Sequence, residues 1–398
     1  MGEHFARGLA EYNLCPVVDD HGHKLRTLGV LIKNCWRAPV MMYSGLYYCC
    51  AGNYIYTDPP DHFHYNINKG MFDTIVVTIS MLDVYLTPAE KKEIRVIKNV
   101  IIEEETPPEF ITRLKNLGIT IFYFNDIVEK GKTSTYKFER PTRDTPIIIV
   151  STSGSTGMPK GAVLNDSGLL DNAALEVGPW HDHLSNDAYM LNNVTLGFGT
   201  VLGFNFATMC RGGKLVYLEK KFANYFEELK AGDPSFIILS PLSYAKMYQA
   251  INMVISKLPS PQKEGITAAL SAKTKLFYAT KKYLEPEIDK MLKPLRDKFF
   301  GNRLKFMVNI GAAISDDILT FFRIFSCVKI INSYGSCDVG GIVTVSSDTE
   351  SAEFAGVPVP WYQFKLIDVP ELNYFVTDTI DGKLRPRGEV NNISQKNV

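Results

Sequence analysis

The chain has 398 residues, of which 45% are hydrophobic, 12% aromatic and 22% charged. That composition excludes disordered, collagen-like and coiled-coil chains, and the length calls for two or three structural units rather than one core. Lys and Arg together number 43, as do Asp and Glu, so the formal charge is zero and no electrostatic case exists for nucleic acid as the main partner.

In chain order, the opening residues MGEHFARGLAEYNLC lack the apolar stretch of a secretory signal. Gly2 follows Met1, but Ala6 stands where a myristoylation signal needs Ser or Thr. The most apolar stretch, Ala38–Tyr56, is broken by Ser44, Gly45, Gly52 and Asn53 and reads as buried helix and strand. No clean run of about 18 apolar residues occurs, so no membrane span is expected. Strand-like runs are predicted at Thr27–Ile32, Thr74–Ile79, Val96–Ile102, Ile119–Phe124, Pro146–Ser151, Lys214–Leu218, Ser235–Ser240, Leu304–Ile310 and Val328–Asn332. Several are continuously apolar, as suits strands buried on both faces of a parallel sheet. Helical spacing appears between them, at Glu109–Leu117 and Asp316–Phe325. Alternating strands and helices predict an α/β fold. Pro141–Pro146 reads as a linker, Leu258–Gly265 as an exposed turn, and the chain from Gly340 on as short strands and turns.

Seven cysteines with irregular spacing and no CxxC predict thiols in a reducing compartment, hence a cytoplasmic chain. Six of the seven histidines form His-x-His pairs: His21/His23, His62/His64 and His181/His183. The pairs lie far apart, and exposed loops are expected to hold them rather than a metal. Lys91–Arg95 and Lys273–Lys282 read as solvated basic helix faces; the second is the segment we would expect at a peripheral contact with an internal membrane. Asn193-Val-Thr195 and Asn392-Ile-Ser394 match glycosylation sequons, but nothing indicates secretion.

The sharpest feature is Ile147–Gly161, IIIVSTSGSTGMPKG. A buried strand feeds a loop of hydroxyls and glycines with one lysine. Hydroxyls and glycine N–H groups can surround phosphate oxygens, and Lys160 adds a point charge, so the chemistry points to polyphosphate. A helix is expected to follow near Asn165–Val177, capped by Asn165, Asp166 or Ser167. The loop is neither a Walker A motif, because Pro159 precedes Lys160 and Gly161 follows it, nor a GxGxxG dinucleotide loop.

Ser151–Gly161 resembles the signature loop of the adenylate-forming (AMP-binding) superfamily, which includes acyl-CoA synthetases, luciferases and peptide-synthetase adenylation domains. The resemblance implies that Thr152, Ser153, Gly154, Ser155, Thr156, Gly157 and Lys160 hold the ATP β- and γ-phosphates. Phe306–Ser315 (FMVNIGAAIS) resembles the strand and turn near adenine and acyl group, implying Gly311, Ala312 and Ala313. Ile331–Asp338 (INSYGSCD) resembles the motif Tyr-Gly-X-Thr-Glu. It implies that Tyr334 stacks on adenine, with Asn332, Ser333 and Gly335 along its edge. Cys337 takes the place of a threonine that contacts the adenylate phosphate, and Asp338 that of a glutamate that binds magnesium. Gly356–Pro360 and Arg387-Gly388-Glu389 resemble two later landmarks. At the family histidine, within Leu191–Gly199, this chain has Thr195 or Leu196.

Lys257–Arg303 and Phe364–Tyr374 resemble long-chain fatty acid–CoA ligases. That likeness implies ATP and a fatty acid as substrates, magnesium as cofactor and CoA as co-substrate. The resemblance runs from about Phe5 to Val390, and Asn391–Val398 matches nothing in it. The family's small lysine-bearing domain is therefore expected to be missing from these residues, as in a truncated or degenerate member whose activity alone is doubtful. The expected architecture is two doubly wound subdomains with mostly parallel sheets, at 1–185 and 186–340, then a partial β-rich subdomain at 341–398. The ATP site is expected at strand C-terminal ends where the subdomains meet. A non-catalytic nucleotide- or acyl-binding protein on the same fold is the second expectation.

Overall fold

A computed structural model describes residues 1–20, 22–103, 105–152, 157–165, 187–192, 197, 199–218, 225–360 and 362–394. The chain divides into two compact units, Met1–Ile238 with Leu295–Lys305, and Leu239–Pro294 with Phe306–Val398.

The first unit is built on one large sheet. Its strands run in the order Thr120–Tyr123, Asn99–Ile102, Thr74–Val77, His23–Leu31, Cys50–Tyr54, Pro146–Ser151 and Gly161–Asn165, with Val18–Asp20 added beside His23–Leu31. The pairings from Thr120–Tyr123 through Pro146–Ser151 are parallel. Every residue of Thr74–Val77 is buried, as suits the apolar run Ile75–Val77, and the Thr74 hydroxyl is satisfied by the Leu14 carbonyl. One face packs Phe63, Ile67, Leu82, Tyr85 and Leu114 from the helices Pro60–Lys69, Ile79–Glu90 and Pro108–Asn116 against Ile75, Val77, Val100 and Ile102. A fully buried aliphatic side chain contributes about 1.5–3 kcal/mol, so this layer is a main source of the unit's stability. Helix Gly2–Glu11 lies against Phe124–Lys132, where a side chain at Gly131 would fall 1.7 Å from the His4 carbonyl oxygen. The same unit holds a second parallel set, Lys214–Val216 and Phe236–Ile237 on either side of Tyr189–Leu191.

In the second unit, Phe306–Asn309 and Lys329–Ser336 pair in parallel and Gly341–Val345 continues antiparallel. Helices Pro241–Ser256, Ser260–Thr280 and Asp316–Ser326 pack together beside them. Helix Asp316–Ser326 buries Leu319, Phe322 and Phe325 of the stripe Ile318, Leu319, Phe322 and Phe325 that the sequence spacing predicts, and leaves Ile318 half-buried. Farther on the strands are short, ending in the antiparallel pair Tyr362–Ile367 with Glu389–Ser394. The α/β class with mostly parallel sheets is thus observed.

Four local expectations are corrected. Gly161–Asn165 is a strand antiparallel to Pro146–Ser151, so the loop closes a hairpin instead of leading directly into a helix. Val163 faces out and Leu164 in, an alternation too short to stand out in the sequence. The expected helix near Asn165–Val177 otherwise lies outside the described residues. Leu258–Gly265 is mostly the first turns of helix Ser260–Thr280, with Pro261 near its start, where a missing N–H costs nothing. His62 and His64 lie within helix Pro60–Lys69 rather than a loop. Lys91–Arg95 follows the helix Ile79–Glu90 as a turn, and Arg95 donates to the carbonyls of Ile67, Gly70 and Phe72. Among the described residues, no helix is long and apolar enough to cross a membrane.

Candidate functional site

The hairpin in the first unit positions the loop. Ile147, Ile148 and Val150 are fully buried, so the strand is a fixed post. At its end the Thr152 N–H donates to the Lys160 carbonyl at 2.8 Å, and the Lys160 N–H reaches the Thr152 hydroxyl at 3.4 Å. These two residues pin the neck of the loop. Ser153, Gly154, Ser155 and Thr156 lie outside the described residues. Gly157 has φ 143°, an angle that L side chains rarely adopt. Lys160 is exposed, with its ammonium available to an anion from solvent.

In the second unit, two strand ends carry the other candidates. Phe306–Asn309 and Lys329–Ser336 run in register, with Asn309 opposite Asn332. The Asn309 amide donates to the Asn332 side-chain oxygen at 2.8 Å and to the Ala312 carbonyl at 3.3 Å. The Asn332 amide donates to the carbonyls of Ala352 and Phe354 at 3.4 and 3.2 Å. Ser333 donates to the Asn309 carbonyl at 3.0 Å. Asn309, Asn332 and Ser333 thus form a buried frame whose side chains bond the protein, so along the edge of a base Asn332 and Ser333 would offer their backbone. The frame presents the turn Gly311–Ala313, where all three residues are exposed and Gly311 takes φ 93°.

Tyr334 follows the frame directly and is 41% exposed, an uncommon state for a ring at the end of a buried strand. It offers a face on which a planar base can stack. Gly335 is fixed by sterics, because a Cβ there would lie 2.2 Å from the Gly341 carbonyl oxygen. The strand register shifts between Tyr334 and Gly335, which re-aims the chain before the short turn Cys337–Val339. Cys337 is half-buried in that turn. Asp338 shares the turn, and its side chain lies outside the described ones, as does the segment with Thr195 and Leu196. Among the described residues, no group of three or more His, Cys, Asp or Glu could hold a metal ion.

Asn309 is the frame residue that the sequence reading missed. The available signal was an amide closing an otherwise apolar strand, FMVN. The later landmarks have backbone reasons. Arg387 donates to Asp378 at 2.7 Å, and a Cβ on Gly388 would meet the Ile367 carbonyl oxygen at 2.4 Å. The Phe375 N–H and then Arg387 hold the Asp378 carboxyl below its ordinary range.

Comparison with known proteins assigns the chain to a family. The family model described as AMP-binding enzyme matches residues 21–393. Fatty acyl-CoA synthetase B of Dictyostelium discoideum is 26% identical over 295 residues, covering 71% of this chain and 42% of that protein. The peroxisomal long chain acyl-CoA synthetase 7 of Arabidopsis thaliana is 25% identical over 343 residues, covering 83% of this chain and 46% of that protein. The chain therefore spans less than half the length of these relatives. Among solved structures, the A domain of carboxylic acid reductase from Segniliparus rugosus, in complex with AMP and a carboxylic acid, superposes with a TM-score of 0.69 at 17% identity, over 99% of this chain and 59% of that one. At that identity the likeness speaks for the fold alone. One family-model match takes in nearly the whole sequence, and the chain belongs to the AMP-binding enzyme family.

Proposed function

We propose that this chain carries the nucleotide- and acid-binding part of a fatty acid–activating ligase, of the kind that makes long-chain acyl-CoA. A carboxylate oxygen attacks the α-phosphorus of ATP, the bond to pyrophosphate breaks, and acyl-AMP forms. The thiol of CoA then attacks the acyl carbon and AMP leaves. The observation that carries this reading is the exposed ring of Tyr334 and the exposed Gly311–Ala313 turn, which follow the paired residues of two strands tied by the buried Asn309–Asn332 bond. Tyr334 would stack on adenine, with Gly335 and the Gly311–Ala313 turn lining the base and the acyl carbonyl. The loop Thr152–Lys160 would hold the β- and γ-phosphates. Magnesium would be held by the Asp338 carboxylate, a hard oxygen donor, together with phosphate oxygens, and would offset charge at phosphorus. We place the chain in the cytoplasm, peripheral to an internal membrane. We retain 1–185, 186–340 and 341–398 as the proposed subdomains.

The test is fatty-acid-dependent exchange of labelled pyrophosphate into ATP. Exchange with palmitate and magnesium supports the reading, and its absence at saturating ATP and acid removes the catalytic claim. Lys160→Ala is expected to weaken ATP binding by about 1–3 kcal/mol, the range for one lost charged hydrogen bond, read by calorimetric titration. Unchanged affinity would take the loop out of the site.

A second reading, a non-catalytic nucleotide- or acyl-binding protein, is favoured by Cys337. A thiol is a weaker donor than the threonine hydroxyl that the family pattern has there. Restoring Thr and Glu together, Cys337→Thr with Asp338→Glu, is expected to raise affinity for a non-hydrolysable acyl-adenylate analogue by roughly 0.5–1.5 kcal/mol, one ordinary hydrogen bond. No gain would favour the second reading.

A further inference from the structure

Apart from the candidate site, the second unit holds a cluster of one fully buried amine with one half-buried thiol and one half-buried carboxylate. Lys273 lies in the middle of helix Ser260–Thr280 and has no exposed surface, although the basic run around it reads as a solvated face. Its ammonium donates to the Asp289 carboxylate, to the Ile324 carbonyl at 2.7 Å and to the Cys327 sulfur at 3.2 Å. All three ammonium protons are thereby used, and the amine is aimed at the sulfur. The thiol is held equally firmly. Cys327 caps helix Asp316–Ser326 in the left-handed region, φ 56°, with its N–H bonded to the Arg323 carbonyl at 3.1 Å and its sulfur 3.3 Å from Asp289. Cys327 is half-buried, so its residue is not sealed from solvent, while Lys273 is held in place by its bonds.

We propose that Lys273 and Cys327 form a reversible covalent bridge when the protein meets a hydroperoxide. The Cys327 thiolate attacks one peroxide oxygen, the O–O bond breaks, and the leaving hydroxide takes up the proton that the thiol gave up, so sulfenic acid and water result. Lys273, having passed a proton to Asp289, attacks the sulfur with its nitrogen lone pair. The S–O bond breaks, and the hydroxide leaves as water after taking up a proton. In sum, one thiol, one amine and one hydrogen peroxide give an S–N bond and two waters, with sulfur oxidised and peroxide reduced by two electrons. A second peroxide can insert one oxygen into that bond, releasing one further water. Ordinarily a sulfenic acid awaits a second thiol or a backbone nitrogen; here the neighbouring nucleophile is an amine already in contact. The bridge would staple Ser260–Thr280 to the end of Asp316–Ser326, two residues before the strand Lys329–Ser336. Burial first, and the facing Asp289 carboxylate as well, raise the thiol above its ordinary range while Lys273 draws it partly back, so the thiolate fraction, and with it the rate, rises with pH. The bridge does not depend on the adenylation reading.

The experiment treats the full chain with hydrogen peroxide, blocks remaining thiols, digests without reductant and maps peptides by mass. The expected product joins the Lys273 and Cys327 peptides. It is lighter than their sum by two hydrogens, or at higher peroxide carries one more oxygen. Tryptic cleavage after Lys273 is lost in the same fraction of molecules, and dithiothreitol restores it. Cys327→Ser abolishes the joined peptide. Lys273→Arg leaves a Cys327 sulfenic acid that dimedone captures. If that variant does not fold, the wild-type map and Cys327→Ser decide. The proposal is overturned if wild-type Cys327 stays a thiol, forms a disulfide, or passes to sulfinic acid while Lys273 remains fully cleavable.

Discussion

Asn332→Ala is expected to lower stability by about 2–4 kcal/mol, because three hydrogen bonds go and buried groups are left unpaired. The Asn332 amide satisfies the carbonyls of Ala352 and Phe354, and its oxygen receives the Asn309 amide. Alanine answers none of these. The effect is expected to exceed bare stability, since Asn309 also bonds the Ala312 carbonyl and so fixes the Gly311–Ala313 turn. Loosening that turn should weaken acyl-adenylate analogue binding even where the protein is still folded. Asn332→Asp separates the two effects. It keeps the acceptor for Asn309 and loses both donors to the carbonyls. Urea denaturation should show most of the loss in Asn332→Asp, while analogue affinity should fall further in Asn332→Ala. Equal affinity in both variants would show that the asparagine pair does not position the turn.

The legible parts of this fold were those where one rule dominates. Phe236–Leu239 and Ile75–Val77 are unbroken apolar runs buried at every residue, and their shortness and β-branched content mark them as strands rather than buried helix. The stripe of Asp316–Ser326 was readable from its helical spacing. Gly161–Asn165 was not, because an edge strand of five residues with mixed burial carries little pattern. Pro259 and Pro261 looked like turn punctuation, yet one precedes a helix and the other sits in its first turn, where proline is tolerated. Charge misled most. Lys273 sits in a basic run, but burial is decided by what faces a residue, and Asp289 and Cys327 arrive from 16 and 54 positions away. No local window contains them. The candidate site residues come from resemblance alone, and Asn309 was missed because the structural partner of a motif need not belong to the motif.

Gly356→Ala is expected to be the most damaging of these substitutions, at about 3 kcal/mol or more, from a positive φ together with a backbone overlap. Gly356 has φ 93°, and a Cβ there would lie 1.9 Å from the Val345 carbonyl carbon and 2.2 Å from the Ser346 nitrogen. Neither atom is the end of a flexible side chain, so the strand Gly341–Val345 itself must shift. That shift would break the pairing of Val345 with Val357 and strain the bond from the Asn332 N–H to the Ser346 hydroxyl. The damage therefore travels to the strand that presents Tyr334. Gly382→Ala is the control, because Gly382 also has a positive φ, 71°, yet a Cβ there meets nothing within 4 Å. It is expected to cost only about 1 kcal/mol, the conformational part alone. Thermal denaturation of the two variants separates the terms, with Gly356→Ala at least about twice as destabilising. Equal losses would mean that the strand yields freely at Val345, and that the Gly356–Pro360 landmark owes its glycine to backbone angle and not to close approach.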